Sequence, residues 1–319
     1  MINYPDINKL TRSMKTLAGS GAFDLPSPDQ IRQDLHDTQW KWEESSEEKL
    51  APLLFVNEAY DSRKTGIATQ DWLPSVYRHY IRPDFFGFAC NQFKSRRHKH
   101  FAIQIIFNFE APFLISIDDS KKFELFFIII PSYVPHKVIS LAGKHLSILV
   151  DPLSVMGKKL HILFDDPRSF AIFCRSTINE VYPNLQARLD DFESYHFFDY
   201  IITRLNHMVS DFPEYHMDKR IWDAISRCRI KGGNRIGIMD LADWTCLSES
   251  RARHLFKEET GVSFTQYLKW LKLTEAIKYV CASGTSLTQA AHLTGFSDSA
   301  HLSRMFRETF GLVPSSVLQ

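Results

Sequence analysis

The stretch LTGFSDSAHLSRMFRETFGLVP, Leu293–Pro314, decides the reading of this chain. Its centre, GFSD, has the composition of a tight turn, and Asp298 stands where a helix N-cap belongs. The helix it opens ends at Gly311, a residue suited to the left-handed position just past a helix. A short helix over Leu287–Leu293 precedes the turn, so the stretch reads as a helix-turn-helix. Fifty residues upstream lies a second copy, LSESRARHLFKEETGVSF, Leu247–Phe264. Setting Phe256 on Phe306 also pairs Lys257 with Arg307, Glu258 with Glu308 and Gly261 with Gly311. Before the turn the offset becomes 49, placing Leu241-Ala242 on Ala290-Ala291, so the second copy has a turn one residue longer. Ser248 takes the N-cap place in the first copy, and Cys246-Leu247 its turn. Between the copies, Phe264–Ala282 carries apolar residues at Phe264, Tyr267, Leu268, Leu271, Ile277 and Val280, a long helix able to hold both units rigidly.

Such a unit meets the base edges of DNA with the N-terminal turns of its second helix. In the second copy those positions are Ser299, Ala300, His301, Ser303 and Arg304; in the first they are Glu249, Ser250, Arg253 and His254. Leu255, Phe256, Leu302, Met305 and Phe306 fall on the opposite face and are core candidates. Lys257 and Arg307 lie deeper along their helices, as phosphate contacts or as solvated charges. Glu249 would face phosphates unless it reads cytosine. The charge distribution agrees mildly: residues 216–319 hold 14 Lys+Arg against 10 Asp+Glu, leaving 24 against 27 in the remainder, within a net charge of +1.

With these residues in view, residues 236–317 resemble the DNA-binding domain of the AraC/XylS family of bacterial transcription regulators. That family's pattern around its second unit is met by Gly295, Phe296, Asp298, Ala300, Leu302, Ser303, Arg304, Phe306, Arg307, Phe310, Gly311, Pro314 and Ser315. The first unit, LFKEETGVSFTQYLKWLKLTEA, matches almost as well. Lys272 stands where the connecting helix usually has Arg, and Val317 where an aromatic residue is common; both are expected away from the reading surface. The resemblance implies a transcription regulator, an activator in keeping with the family, that binds promoter or operator double-stranded DNA as a homodimer and works with RNA polymerase.

The preceding part of the chain has a different texture. From Ser75 to Asp151, runs rich in Ile, Val, Phe and Tyr (SVYRHYI, FFGFACNQF, HFAIQIIFNF, FLISI, FELFFIII, HKVIS, HLSILV) alternate with turn residues. Seven such runs predict an antiparallel sandwich or barrel, with NFEAP and DDSKK as hairpin turns. HKHFAIQ (His98–Gln104) and PSYVPHKV (Pro131–Val138) resemble the two half-motifs of cupin barrels, and with Val150-Asp151-Pro152 they resemble the N-terminal sensor barrels of AraC-type regulators. The resemblance implies a small-molecule effector pocket, with His98, His100, Gln104 and His136 as candidate ligand-binding residues. His-x-His puts two imidazoles on one face of a strand, and His136 supplies a third. Gln104 replaces the acidic ligand of metal-binding cupins, and RRHKHF adds positive charge beside the site, so no metal and no cofactor are expected. Residues 167–210 predict two amphipathic helices, RSFAIFCRSTINEVY and SYHFFDYIITRLNHMV, as a dimer surface or as packing against the barrel. The glycines of KGGN (Lys231–Asn234) are a candidate hinge.

The expected fold class is α+β: an unassigned segment at 1–74, a cupin-like antiparallel barrel at 75–155, a helical linker at 156–215 and an all-α DNA-binding domain at 216–319. The opening MINYPDINKLTRSMK lacks the apolar run of a signal peptide, no run reaches membrane-spanning length, and the five cysteines are odd in number and widely spaced. These features predict a cytoplasmic protein with reduced thiols and no membrane partner. No nucleophile–base set, phosphate loop or carboxylate pair points to catalysis, so no enzyme is expected. Two alternatives stay open: a metal-dependent cupin enzyme with a helical appendage, and a ligand-independent regulator whose barrel only dimerises.

Overall fold

A computed structural model describes residues 76–117, 121–161, 171–173, 185–192, 194–209 and 216–318. The segment 1–74 lies outside them. The seven apolar runs become nine strands: β1 (Val76–Arg82), β2 (Phe85–Cys90), β3 (Phe93–Lys94), β4 (Ile103–Asn108), β5 (Phe113–Ile117), β6 (Lys121–Leu125), β7 (Phe127–Ile130), β8 (His136–Ser140) and β9 (His145–Val150). A tenth, β10, covers Ala171–Phe173. They form two antiparallel sheets, ordered β1-β2-β9-β4-β7-β10 and β3-β8-β5-β6, facing each other rather than closing into one barrel.

Burial explains which runs alternate and which do not. β5 and β8 bury every second residue, as strands with one covered face must. β4, β7 and β9 are buried at every position because their sheet is covered on both sides. One face, with Phe88, Ile106, Ile128 and Leu149, packs on Phe113, Ile115 and Val138 of the other sheet. The opposite face, with Ile105, Phe107, Ile129 and Ile148, packs on helices. FELFFIII therefore breaks at Phe126, its first half pairing in the smaller sheet and its second in the larger. NFEAP, expected as a hairpin, instead crosses between sheets. The Asn108 amide organises that crossing: its Oδ1 accepts from the Glu110 and Ala111 N–H groups and its Nδ2 donates to Ser140 Oγ and the Ala142 carbonyl. Within DDSKK the two lysines open β6, which pairs antiparallel with β5 up to Ile117 opposite Lys121; residues 118–120 lie outside the described ones.

Three helices follow the sheets: α1 (Val155–His161), α2 (Leu185–Arg188) and α3 (Tyr195–Met208). The first predicted amphipathic helix is corrected in part. Ala171–Phe173 extends the larger sheet against β7, where Ile172 and Phe173 are residue types favoured in strands; the other residues of that prediction lie outside the described ones. The second is α3, capped by Ser194, which accepts from the Phe197 N–H. Its apolar stripe (Phe197, Phe198, Ile201, Ile202, Leu205, Met208) is buried on the larger sheet, where Phe198 stacks on Tyr80 at 4.1 Å between centroids. That stripe is consumed within the chain.

The C-terminal part is all helical: α4 (Lys219–Ile230), α5 (Ile238–Thr245), α6 (Glu249–Thr260), α7 (Phe264–Ser283), α8 (Leu287–Leu293) and α9 (Ser299–Phe310). The KGGN glycines, the candidate hinge, form a tight turn here. Gly232 and Gly233 take left-handed φ values of 62° and 72° and turn α4 back onto α7, so close that a Cβ on Gly233 would sit 3.0 Å from Leu271 Cβ. One continuous core runs from the space between the sheets into the helices, joining Phe86, Phe101 and Ile130 to Tyr267, Trp270 and Phe310. Arg229 on α4 pairs with Asp151 at 2.8 Å and Asp84 at 3.7 Å, binding the helical part to the sheets.

Candidate nucleic-acid interface and the histidine cluster behind it

The two helix-turn-helix units are α5–α6 and α8–α9. Local chemistry sets each boundary. Ser248 accepts from the Arg251 N–H and Asp298 from the His301 N–H, relieving donors that a helix start leaves unpaired. Gly261 and Gly311 close the helices in the left-handed region, at φ 76° and 67°. Within the turns, Cys246 adopts φ 54° in the first copy and Gly295 φ 76° in the second. Buried Ala242, Ala252, Ala290 and Ala291 let the paired helices approach. The repeat also extends to a pair not noticed in the sequence. Thr245 and Thr294, 49 apart, are both buried and both donate to the carbonyl four residues back, Leu241 and Ala290, at 2.7 Å.

The residues proposed to read DNA line the outer face of α6 and α9. Ser250, Arg253, His254, Lys257, Ala300, Arg304 and Arg307 are exposed, and Ser299, His301 and Ser303 are half-buried. Leu255, Phe256, Leu302 and Phe306 are buried behind them, and Met305 is half-buried against the same core. Glu249 does not stand alone before the phosphates. Its carboxylate accepts from Arg253 at 3.0 Å, an exposed i,i+4 pair that orients the guanidinium. Asp298 is held below the usual carboxylate range, first by the hydrogen bond from the His301 N–H.

Lys272 corrects the expectation that it lies away from this surface. With Lys269 on α7 it lines a groove of about 460 Å³ beside α6, shared with Arg253 and Lys257. Arg253, Lys257, Lys269 and Lys272 thus bring four cations to one groove. The sequence signal is KWLK, two lysines one helical turn apart, which acquires meaning only because α7 runs beside α6.

Behind the second unit, the three predicted histidines do come together. The ligating atoms of His98, His100 and His136 lie within 4.8 Å of one another, and all three residues are buried. The route differs from the expected strand. His98 sits in an isolated bridge to His136, and His100 lies in a loop before β4. Each Nδ1–H donates to a backbone carbonyl: His98 to Arg96 at 2.8 Å, His100 to Ala102 at 2.9 Å, His136 to Val134 at 2.8 Å. The Nε2 atoms of His100 and His136 both face Gln104 Oε1, at 2.9 and 2.8 Å, while Gln104 Nε2 donates to Ser147 Oγ at 2.9 Å. Burial, then the neighbouring imidazoles, pushes His98 down to about 3 and His136 well below the ordinary value; burial also lowers His100. The cluster abuts α9: a Cβ on Gly311 would lie 2.7 Å from His98 Nδ1, and the Arg96 N–H donates to the Gly311 carbonyl at 2.9 Å.

Comparison with known proteins agrees with this geometry at the C-terminus. Residues 241–319 match the family described as "Helix-turn-helix domain". The chain is similar to the HTH-type transcriptional activator RhaS of Escherichia fergusonii, 30% identical over 116 residues, which are 36% of this chain and 36% of that one. RhaS of Escherichia coli strain K12 is also 30% identical, over 117 residues covering 37% and 36%. The chain thus spans about a third of the length of the curated relatives it matches. Among solved structures, apo ToxT K231A of Vibrio cholerae aligns at TM-score 0.49 and 10% identity, covering 76% of this chain and 100% of that one. The C-terminal domain of AraT, a response regulator from Geobacillus stearothermophilus, aligns at TM-score 0.29 and 16% identity, covering 32% and 84%. Among the described residues no helix is long and apolar enough to cross a membrane. Residues 241–319 of this chain are a helix-turn-helix domain.

Proposed function

We propose that the chain is a sequence-specific, DNA-binding transcription regulator controlled through its N-terminal sheets. One observation carries this reading: two copies of one capped helix-turn-helix, each with a polar outer face, are held on a single rigid helix, α7. Two such units on one chain enter successive major grooves on one side of the duplex, a span of about 20 base pairs. Arg304 serves as a bidentate guanine contact, worth roughly 1–3 kcal/mol of discrimination. Arg307, Lys257, Lys269 and Lys272 hold the phosphates and supply most of the affinity.

Control follows from contact. The sheets share a core with the helical domain and touch the end of α9, so a ligand that shifts the loop at His98 bears directly on the second unit. Homodimerisation, contact with RNA polymerase and activation of transcription belong to the same proposal, as does an intracellular site of action. Dimerisation uses a surface other than the apolar stripe of α3.

Selection of bound duplexes from a random pool tests the reading. Enrichment of a site with two sequence blocks about one helical turn apart supports it, and no enrichment over input refutes it.

A further inference from the structure

We propose that the groove between α5, α6 and the start of α7 binds a small organic phosphate in the free protein, and that duplex DNA has to displace it.

Charge selects the class of ligand. Arg253, Lys257, Lys269 and Lys272 line the groove, and among the described residues no Asp or Glu does. Arg253 is engaged by Glu249 at 3.0 Å. Lys257, Lys269 and Lys272 have no ion pair among the described residues. Three uncompensated ammonium groups at one groove favour a multiply charged anion, and lysine is an established point-charge partner of phosphate.

Backbone donors sharpen the choice. Ser263 and Gln266 satisfy each other's N–H groups in a capping box at the start of α7. The N–H groups of Phe264 and Thr265 are left without an intrahelical acceptor, and both residues line the groove. These donors, at the positive end of a 20-residue helix, add to the pull of the lysines on a phosphate.

Shape points to a small molecule. The groove encloses about 460 Å³, the size of a small-ligand pocket. Ile236, Phe264 and Leu268, all buried, give it an apolar floor beneath the cations. A duplex offers phosphates on a convex ridge, whereas an organic phosphate can also lay its apolar body on that floor.

The repeat limits the site to one per chain. At the offset of 50 that sets Phe256 on Phe306, Val313 falls on Ser263, Pro314 on Phe264 and Gln319 on Lys269. The second copy therefore lacks the cap, one N–H and one lysine, and a single short turn over Pro314–Ser316 stands in place of α7.

The consequence for DNA rests on the DNA-binding reading. Lys257, Lys269 and Lys272 cannot hold a bound organic phosphate and the duplex backbone at once, so the ligand weakens duplex binding by competition.

The test titrates the full chain, without DNA, with phenyl phosphate and with inorganic phosphate at constant ionic strength. Calorimetry is expected to give one phenyl phosphate per chain, bound at least about threefold more tightly than inorganic phosphate. The amide resonances of Phe264 and Thr265 shift on binding. Lys257→Ala with Lys269→Ala weakens binding about tenfold or more. Lys94→Ala with Lys137→Ala, which removes the same charge from the smaller sheet, leaves it unchanged. Absence of saturable binding, or equal loss in the two double variants, overturns the site, and a duplex still bound would then make the groove a backbone contact only. Inorganic phosphate binding as tightly as phenyl phosphate overturns the organic body. A duplex recovered from the random pool reads the competition: its apparent dissociation constant rises in proportion to phenyl phosphate. No rise overturns the competition and leaves the site standing, whereas failure to recover any duplex refutes the DNA-binding reading and not the site.

Discussion

The Arg96 N–H donates to the carbonyl of Gly311 at 2.9 Å, so the residue that ends α9 is fastened to the loop of the histidine cluster. Gly311 has a left-handed φ of 67°, and a Cβ there would lie 2.6 Å from the Arg96 carbonyl oxygen. Its counterpart Gly261 has φ 76° but nothing within 4 Å of a Cβ. Gly261→Ala is therefore expected to cost only backbone strain, about 1–2 kcal/mol, and Gly311→Ala clearly more. Thermal unfolding of the two variants checks this. Equal losses would mean that the joint adds nothing.

Arg229 carries the other fastening. The Asp151 side chain is 6% exposed and receives Arg229 at 2.8 Å. Burial raises the Asp151 carboxyl above its ordinary value of 3.8, and Arg229 pulls it down. Arg229→Met leaves the acid buried and unpaired, an expected loss of about 3–5 kcal/mol. The sign with pH follows. A carboxyl raised in the folded state adds stability below pH 3.8 that is lost as pH rises through its folded value. Arg229→Met deepens that loss, so the variant falls further behind the wild type as pH rises from 4 towards neutrality. Adding Asp151→Asn removes the pH-dependent part of the deficit, measurable by denaturant unfolding across the pH range.

Lys269 and Lys272 separate affinity from sequence preference. Each is expected to neutralise one phosphate, so replacing either by Ala lowers the slope of log affinity against log salt by about 1. The selected sequence stays the same. Fluorescence anisotropy on one labelled duplex at several salt concentrations reads both.

Caps and repeats were legible in the sequence because they are local. Ser248, Asp298, Gly261 and Gly311 act on residues within one turn, and a second copy confirms each. What escaped depends on contacts between distant segments. Arg229 and Asp151 are 78 residues apart, and nothing near either names the other. FELFFIII looked like one strand because burial on two faces erases alternation, which hid the break at Phe126 and the division into two sheets. Ala171–Phe173 carried a helical apolar spacing, but an open sheet edge decided its conformation. The histidines were legible as a set. Their seat against α9 was not.

Arg304 offers the most direct test of DNA reading by the paired units. Guanine-interference footprinting of the full chain on its selected site is expected to show two protected major-groove segments about one helical turn apart, and Arg304→Ala should erase the guanine signal in one of them. A single protected segment, or an unchanged pattern with Arg304→Ala, would contradict it.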